Sequence, residues 1–151
     1  MSKKRSLLGI LLLTVLLLVS GCSQKKAVLT TDNEKDLANM ITYLEDQGYE
    51  SSVEEADSDI FPGIRMRIKV ESEVLEVYLY KNPTVLEEVA SGIGKDGSSY
   101  QNKSKTKVIE ISWVSEPHFF KRNTMMVQYI GENENILKLL TAYLGPQFAG
   151  L

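Results

Sequence analysis

Four groups of side chains in this sequence have types and spacings that could do chemistry. Cys22, the single cysteine of the chain, follows Val19, Ser20 and Gly21. A thiolate is a strong nucleophile, and two small neighbours let such a segment enter an enzyme's cleft. His118 is the single histidine, with Ser115 and Glu116 close before it. A histidine base needs an orienting carboxylate and an activated nucleophile beside it. No strained G-x-S-x-G turn marks Ser115, so a small hydrolase built on His118 stands only as the catalytic alternative. Gly92-Ile93-Gly94-Lys95-Asp96-Gly97 spells G-x-G-x-x-G. That pattern cradles a pyrophosphate when a strand enters it and a helix leaves it. Here a helical pattern precedes the glycines and the polar stretch 98–107 follows them, so they read as a helix stop and an Asp-Gly turn. Glu54, Glu55, Asp57 and Asp59 could offer oxygen ligands to a hard cation. Their spacing misses the EF-hand's glycine and distal glutamate, and a solvated acidic loop is expected. One cysteine and one histidine cannot assemble a zinc site. No metal and no cofactor is expected.

Cys22 takes its meaning from what precedes it. Lys3, Lys4 and Arg5 lead into an apolar run from Leu7 to Val19, followed by small residues. That order is the layout of a secretory signal peptide. The run is shorter than the roughly 20 residues a helix needs to cross the hydrocarbon core. Val19-Ser20-Gly21-Cys22 resembles the bacterial lipobox, an aliphatic residue and two small ones before a cysteine. The resemblance implies a diacylglyceryl group on the Cys22 sulfur and cleavage that leaves Cys22 as the first residue. The expected organisation is a leader over 1–21, a lipidated tether over 22–31 and one domain over 32–151. With Cys22 acylated no cysteine remains for a disulfide, and stability must come from packing. Two acyl chains give durable attachment where one does not. The implied location is the extracytoplasmic face of the cell membrane.

Charge excludes one class of partner. The chain carries 17 basic and 20 acidic residues, a net charge of −3, and loss of Lys3, Lys4 and Arg5 takes it to −6. Such a chain lacks the basic footprint that nucleic acid requires. Hydrophobic residues make up 43% and charged ones 25%, a balance that supports a packed domain rather than disorder. The tether holds Lys25 and Lys26, each able to add about 1 kcal/mol on an anionic lipid surface.

The elements behind the tether alternate cleanly. Thr31-Asp32-Asn33-Glu34 fits a capping box, and Leu37, Met40, Ile41 and Leu44 form the stripe of a helix that stops at Gly48. Tyr49, Ser51 and Val53 suggest a weak edge strand. Ile64, Met66, Ile68 and Val70 alternate with Arg65, Arg67 and Lys69, and Leu75, Val77 and Leu79 follow in the same manner. A hairpin turning at Ser72-Glu73, or a four-residue loop in that register, pairs Lys69 with Glu76 and Ile68 with Val77. Asn82-Pro83 starts a second helix, with Val85, Leu86, Val89, Ala90 and Ile93 inward. Positions 92–107 read as a long loop. Ile109, Ile111 and Trp113 predict a fourth strand, and Met125, Val127 and Tyr129 a fifth. Ile136, Leu137, Leu140, Tyr143 and Leu144 form a last helix closed by Gly145 and Pro146. The fold class is α+β, one domain in the order α-β-β-β-α-β-β-α, with a mainly antiparallel sheet and helices packed on one face.

The connector from Ser115 to Asn123 holds Pro117, His118, Phe119, Phe120, Lys121 and Arg122. Aromatic and arginine side chains are favoured at protein interfaces, which makes these six the candidate partner-binding residues. The other reading folds Phe119 and Phe120 back as a lid on the core. The stretches Trp113 to Lys121, Val127 to Gly131 and Gly145 to Gly150 resemble small exported lipoproteins of Gram-positive bacteria. That resemblance carries no activity with it and supports the export reading. The expected function is therefore a non-enzymatic binding or accessory role at the membrane. An inhibitor or exclusion role, through a protruding 115–123 loop on a membrane-adjacent protein, is the alternative.

Overall fold

The computed structural model describes residues 29–150. The leader, Cys22 with Val19, Ser20 and Gly21, and most of the tether lie outside the described residues. The chain runs α1 (Thr31–Asp46), β1 (Ser51–Ala56), β2 (Ile64–Val70), β3 (Glu73–Leu79), α2 (Pro83–Ala90), β4 (Ser99–Gln101), β5 (Val108–Glu110), β6 (Pro117–Arg122), β7 (Met125–Ile130) and α3 (Glu134–Leu144). Five strands form one antiparallel sheet in the order β1-β2-β3-β7-β6, and β4 and β5 form a separate ribbon. The α+β class with a mainly antiparallel sheet is as the sequence predicts.

Side-chain alternation along the strands divides the core into two clusters. Ile68, Val70, Leu75, Val77, Leu79, Val127 and Phe120 face α1 and α3, where they meet Met40, Leu44, Ile136 and Leu140. Tyr78, Tyr80, Met126 and Phe119 face the other way, onto Phe61, Leu86 and Val89 of α2, Tyr100 and Ala149. The expectation of helices on one face holds for α1 and α3 and fails for α2. β3 and β7 carry large apolar residues on both sides, so each side needs a covering layer.

Three boundaries differ from the sequence reading. The first hairpin turns at Glu71-Ser72, where Glu71 has φ 54°, and pairs Arg67 with Glu76 and Ile68 with Leu75. The shift is two residues, so every side chain keeps its predicted face. The fourth strand of the main sheet is β6, not the stretch at 108–113. Val108–Glu110 instead pairs with Ser99–Gln101, and Trp113 anchors the following turn by donating to the Gly97 carbonyl at 2.9 Å. The cap of α1 is Thr30, whose side chain accepts from the Asn33 amide while Asn33 reaches back. Asn82 and Pro83 start α2 as predicted, with Val85 N–H donating to Asn82 Oδ1 at 3.0 Å.

One buried polar cluster ties α1 to the sheet. The Asn33 amide donates to the Tyr80 carbonyl at 2.7 Å and to Thr124 Oγ1 at 3.1 Å. The Asp36 carboxylate accepts from Thr124 N–H at 3.1 Å, from Thr124 Oγ1 at 2.7 Å and from the Asn123 amide at 2.9 Å. Asn123 holds φ 53° in the β6–β7 turn, a left-handed conformation that asparagine tolerates. Removing the carboxylate leaves buried donors without partners. Asp36→Ala is expected to cost about 2–3 kcal/mol in urea unfolding; a loss under about 0.5 kcal/mol, ordinary for an unimportant surface site, contradicts the clamp.

Candidate functional site

The six residues of the predicted partner-binding segment are β6 itself: the reading in which Phe119 and Phe120 fold back on the core holds, and the alternative of a protruding loop does not. Phe119 and Phe120 are 0% and 1% exposed and His118 is 7% exposed. Successive residues of a strand point to opposite faces, and here both faces are covered. His118, Phe120 and Arg122 turn toward the α3 side, where Arg122 donates to the Tyr143 carbonyl and lies 4.7 Å from the Tyr143 ring centre. Pro117, Phe119 and Lys121 face the α2 side. There Lys121 pairs with Glu87 and sits 5.2 Å from the Phe148 ring. Phe119 is ringed by Phe61, Trp113 and Phe148. An exclusion role through an exposed Phe119–Phe120 tip has no such tip to act with.

The outer edge of β6 is covered by the chain's own tail. Phe119 N–H donates to the Ala149 carbonyl at 3.0 Å, and Phe148 N–H donates to the Phe119 carbonyl at 2.9 Å. Gly150, at φ 87°, passes so close that a Cβ would stand 1.9 Å from the Pro117 carbonyl oxygen. Only glycine fits there.

His118 fastens the same tail. Its Nδ1 lies 2.8 Å from Gln147 Oε1 and its Nε2 3.0 Å from the Gly131 carbonyl, with the ring stacked on Tyr129. Gln147 Nε2 is buried without a partner in this orientation. Turning the Gln147 amide end for end lets its Nε2 donate to the ring Nδ1, with the ring Nε2 donating to the Gly131 carbonyl. The partners of the ring are an amide and a carbonyl, where a hydrolytic triad places a carboxylate and a nucleophile. Ser115 Oγ turns to Glu132 at 3.4 Å. The geometry around His118 is that of a structural tie.

The other candidate motifs resolve in the same way. Gly92, Gly94 and Gly97 carry the chain from α2 back onto β4: a Cβ on Gly92 would meet the Gln101 carbonyl at 2.1 Å, and one on Gly94 the Ser99 hydroxyl at 2.5 Å. Asp96 Oδ1 accepts from Ser98 N–H at 3.1 Å, an Asx turn, as the Asp-Gly reading anticipates. The acidic residues are exposed, as expected, but Glu54 and Glu55 lie on β1 and only Asp57 and Asp59 in the loop that follows it. Glu54 on β1 pairs with Arg67 and Lys69, and Asp59 pairs with Arg65 at 2.9 Å. Glu76 lies between Arg65 and Arg67 at 2.9 and 2.7 Å. Tyr78 donates to Asp59 at 3.1 Å, and burial followed by the Asp59 charge pushes its phenol well above the ordinary range. Burial does the same to Tyr80, with Tyr100 adding to it. Among the described residues no group of three or more His, Cys, Asp or Glu is placed to hold a metal ion. Sequence reasoning missed the Asn33–Asp36–Thr124 cluster, whose members are too far apart in the chain to show a spacing.

Comparison with protein-family models, with curated proteins and with solved structures finds no match to this chain.

Phe119→Ala and Phe120→Ala are each expected to lose about 3–5 kcal/mol of stability; an unchanged melting temperature in both contradicts their burial. The tyrosines add a pH dependence. A phenol whose pKa is raised on folding contributes stability that is complete below its unfolded pKa, about 10, and is lost as pH rises beyond it. Absorbance titration in alkali is expected to show Tyr78 and Tyr80 ionising together with unfolding. Their ionisation in a chain that keeps its near-ultraviolet circular dichroism contradicts the packing.

Proposed function

We propose that this chain is a lipid-anchored extracytoplasmic protein with a binding or accessory role, held to the cell membrane by acyl chains on Cys22. The observation that carries this reading is the order of residues 3–22: three basic residues, an apolar run, then Val19-Ser20-Gly21-Cys22. Two structural features support it. Leu29 packs on the core just before the Thr30 cap, and in this reading the residues between Cys22 and Leu29 are the spacer, able to reach about 20 Å when extended. That spacer joins at the sheet end where Asn33 meets Thr124 and Tyr80. No helix among the described residues is long and apolar enough to cross a membrane. The partner in this reading is a protein or ligand at the outer face of the membrane.

Metabolic labelling with a fatty-acid analogue, followed by membrane fractionation, tests the proposal. The wild type is expected to carry label and to sediment with membranes. Cys22→Ala is expected to lose the label and to keep the uncleaved leader. Labelled Cys22→Ala, or a wild type whose leader remains joined to an unmodified Cys22, overturns it.

A further inference from the structure

α1 ends in a motif that places an aromatic ring at the rim of a cleft. Gly48, at φ 84°, follows the Gln47 cap. Gly48 N–H donates to the Glu45 carbonyl at 2.9 Å, and Tyr49 N–H to the Leu44 carbonyl at 3.0 Å. This double closure is the Schellman motif, and it fixes Tyr49 against the side of the core that α1 and α3 cover. Tyr49, Gln47 and Tyr43 line one wall of a cleft of about 310 Å3; Asn135, Lys138 and Ala142 of α3 line the other. That volume is at the small end of ligand sites, which run from roughly 300 to 1,000 Å3.

The chemistry of the lining is specific in kind. The side-chain amides of Gln47 and Asn135 and the Tyr49 hydroxyl have no hydrogen-bond partner among the described residues, and no ring stacks on Tyr49. Tyr43, by contrast, is committed to its stack on Tyr143, with ring centres 4.6 Å apart. Each amide can donate two bonds and accept others, and the half-buried Tyr49 ring, packed against the core, offers its remaining apolar surface and a polar hydroxyl edge at the rim. The charges cancel. Lys138 pairs with Glu134 at 3.2 Å, and the negative end of α1 lies against the positive end of α3. An ion gains little here, whereas a neutral molecule that is polar at its rim and apolar on its ring faces matches every group. We propose that this cleft binds a neutral sugar, with one pyranose ring on Tyr49 and its hydroxyls on the Gln47 and Asn135 amides. The inference does not rest on membrane attachment.

Titration of the 15N-labelled full chain with chitotetraose, cellotetraose and maltotetraose tests it. At least one of the three is expected to move the Gln47 and Asn135 side-chain amide signals saturably. Tyr49→Ala is expected to weaken that binding by about tenfold or more, equivalent to about 1.4 kcal/mol, with the amide spectrum of the sheet unchanged. Gln47→Ala serves as the second variant, because its side chain is exposed and makes no contact the fold requires. The inference is overturned if none of the three sugars moves these signals, or if binding survives both substitutions.

Discussion

Everything in this molecule follows from a central strand pair that is buried on both faces. β3 and β7 lie side by side with Val77 opposite Val127 and Tyr78 opposite Met126, and all four residues are fully shielded from water. Burying a side chain of this size is worth about 1.5–3 kcal/mol, so neither face can be left open. One face takes α1 and α3. The other takes α2, the Phe61 turn, the β4–β5 ribbon and the tail. β6 belongs to the same pair of layers, which is why the consecutive Phe119 and Phe120 both find apolar surroundings, one on each face.

The buried polar groups then fix how the layers dock. The Asn33 and Asp36 side chains join the start of α1 to the β6–β7 turn and the end of β3. His118 and Gln147 join the tail to β6 at the other end. On the open part of the second face, Glu54, Asp59 and Glu76 interleave with Arg65, Arg67 and Lys69. That charged lattice takes the place of a further helix over β1 and β2. Charged groups on β1 also suit an edge strand, which gains from discouraging pairing with other chains.

Local signals were legible in the sequence and non-local ones were not. Asn82-Pro83 and Gly48 announced a helix start and a helix stop because capping depends on neighbours a few residues apart. The first hairpin was placed within two residues because the face pattern survives an even slip. The 115–123 segment reads as a connector and not as a strand because a strand buried on both faces shows no alternation, and only the folding back of Phe119 and Phe120 is legible there. Ile109, Ile111 and Trp113 alternate convincingly yet line a short ribbon and its turn. The Asp36 clamp joins residues nearly ninety positions apart, and the cleft beside Tyr49 exists only once α1 and α3 are adjacent. Cys22 is the reverse case: its chemistry is written wholly in local order.

Native-state hydrogen exchange on β6 tests the two-sided burial most directly. The Phe119 amide, bonded to the tail, and the amides that pair β6 with β7 are expected to exchange only through global opening. Their exchange free energies then equal the unfolding free energy measured with denaturant. Fast exchange along β6, with β2 and β3 still protected, would show that the strand stands apart from the core and would contradict the account.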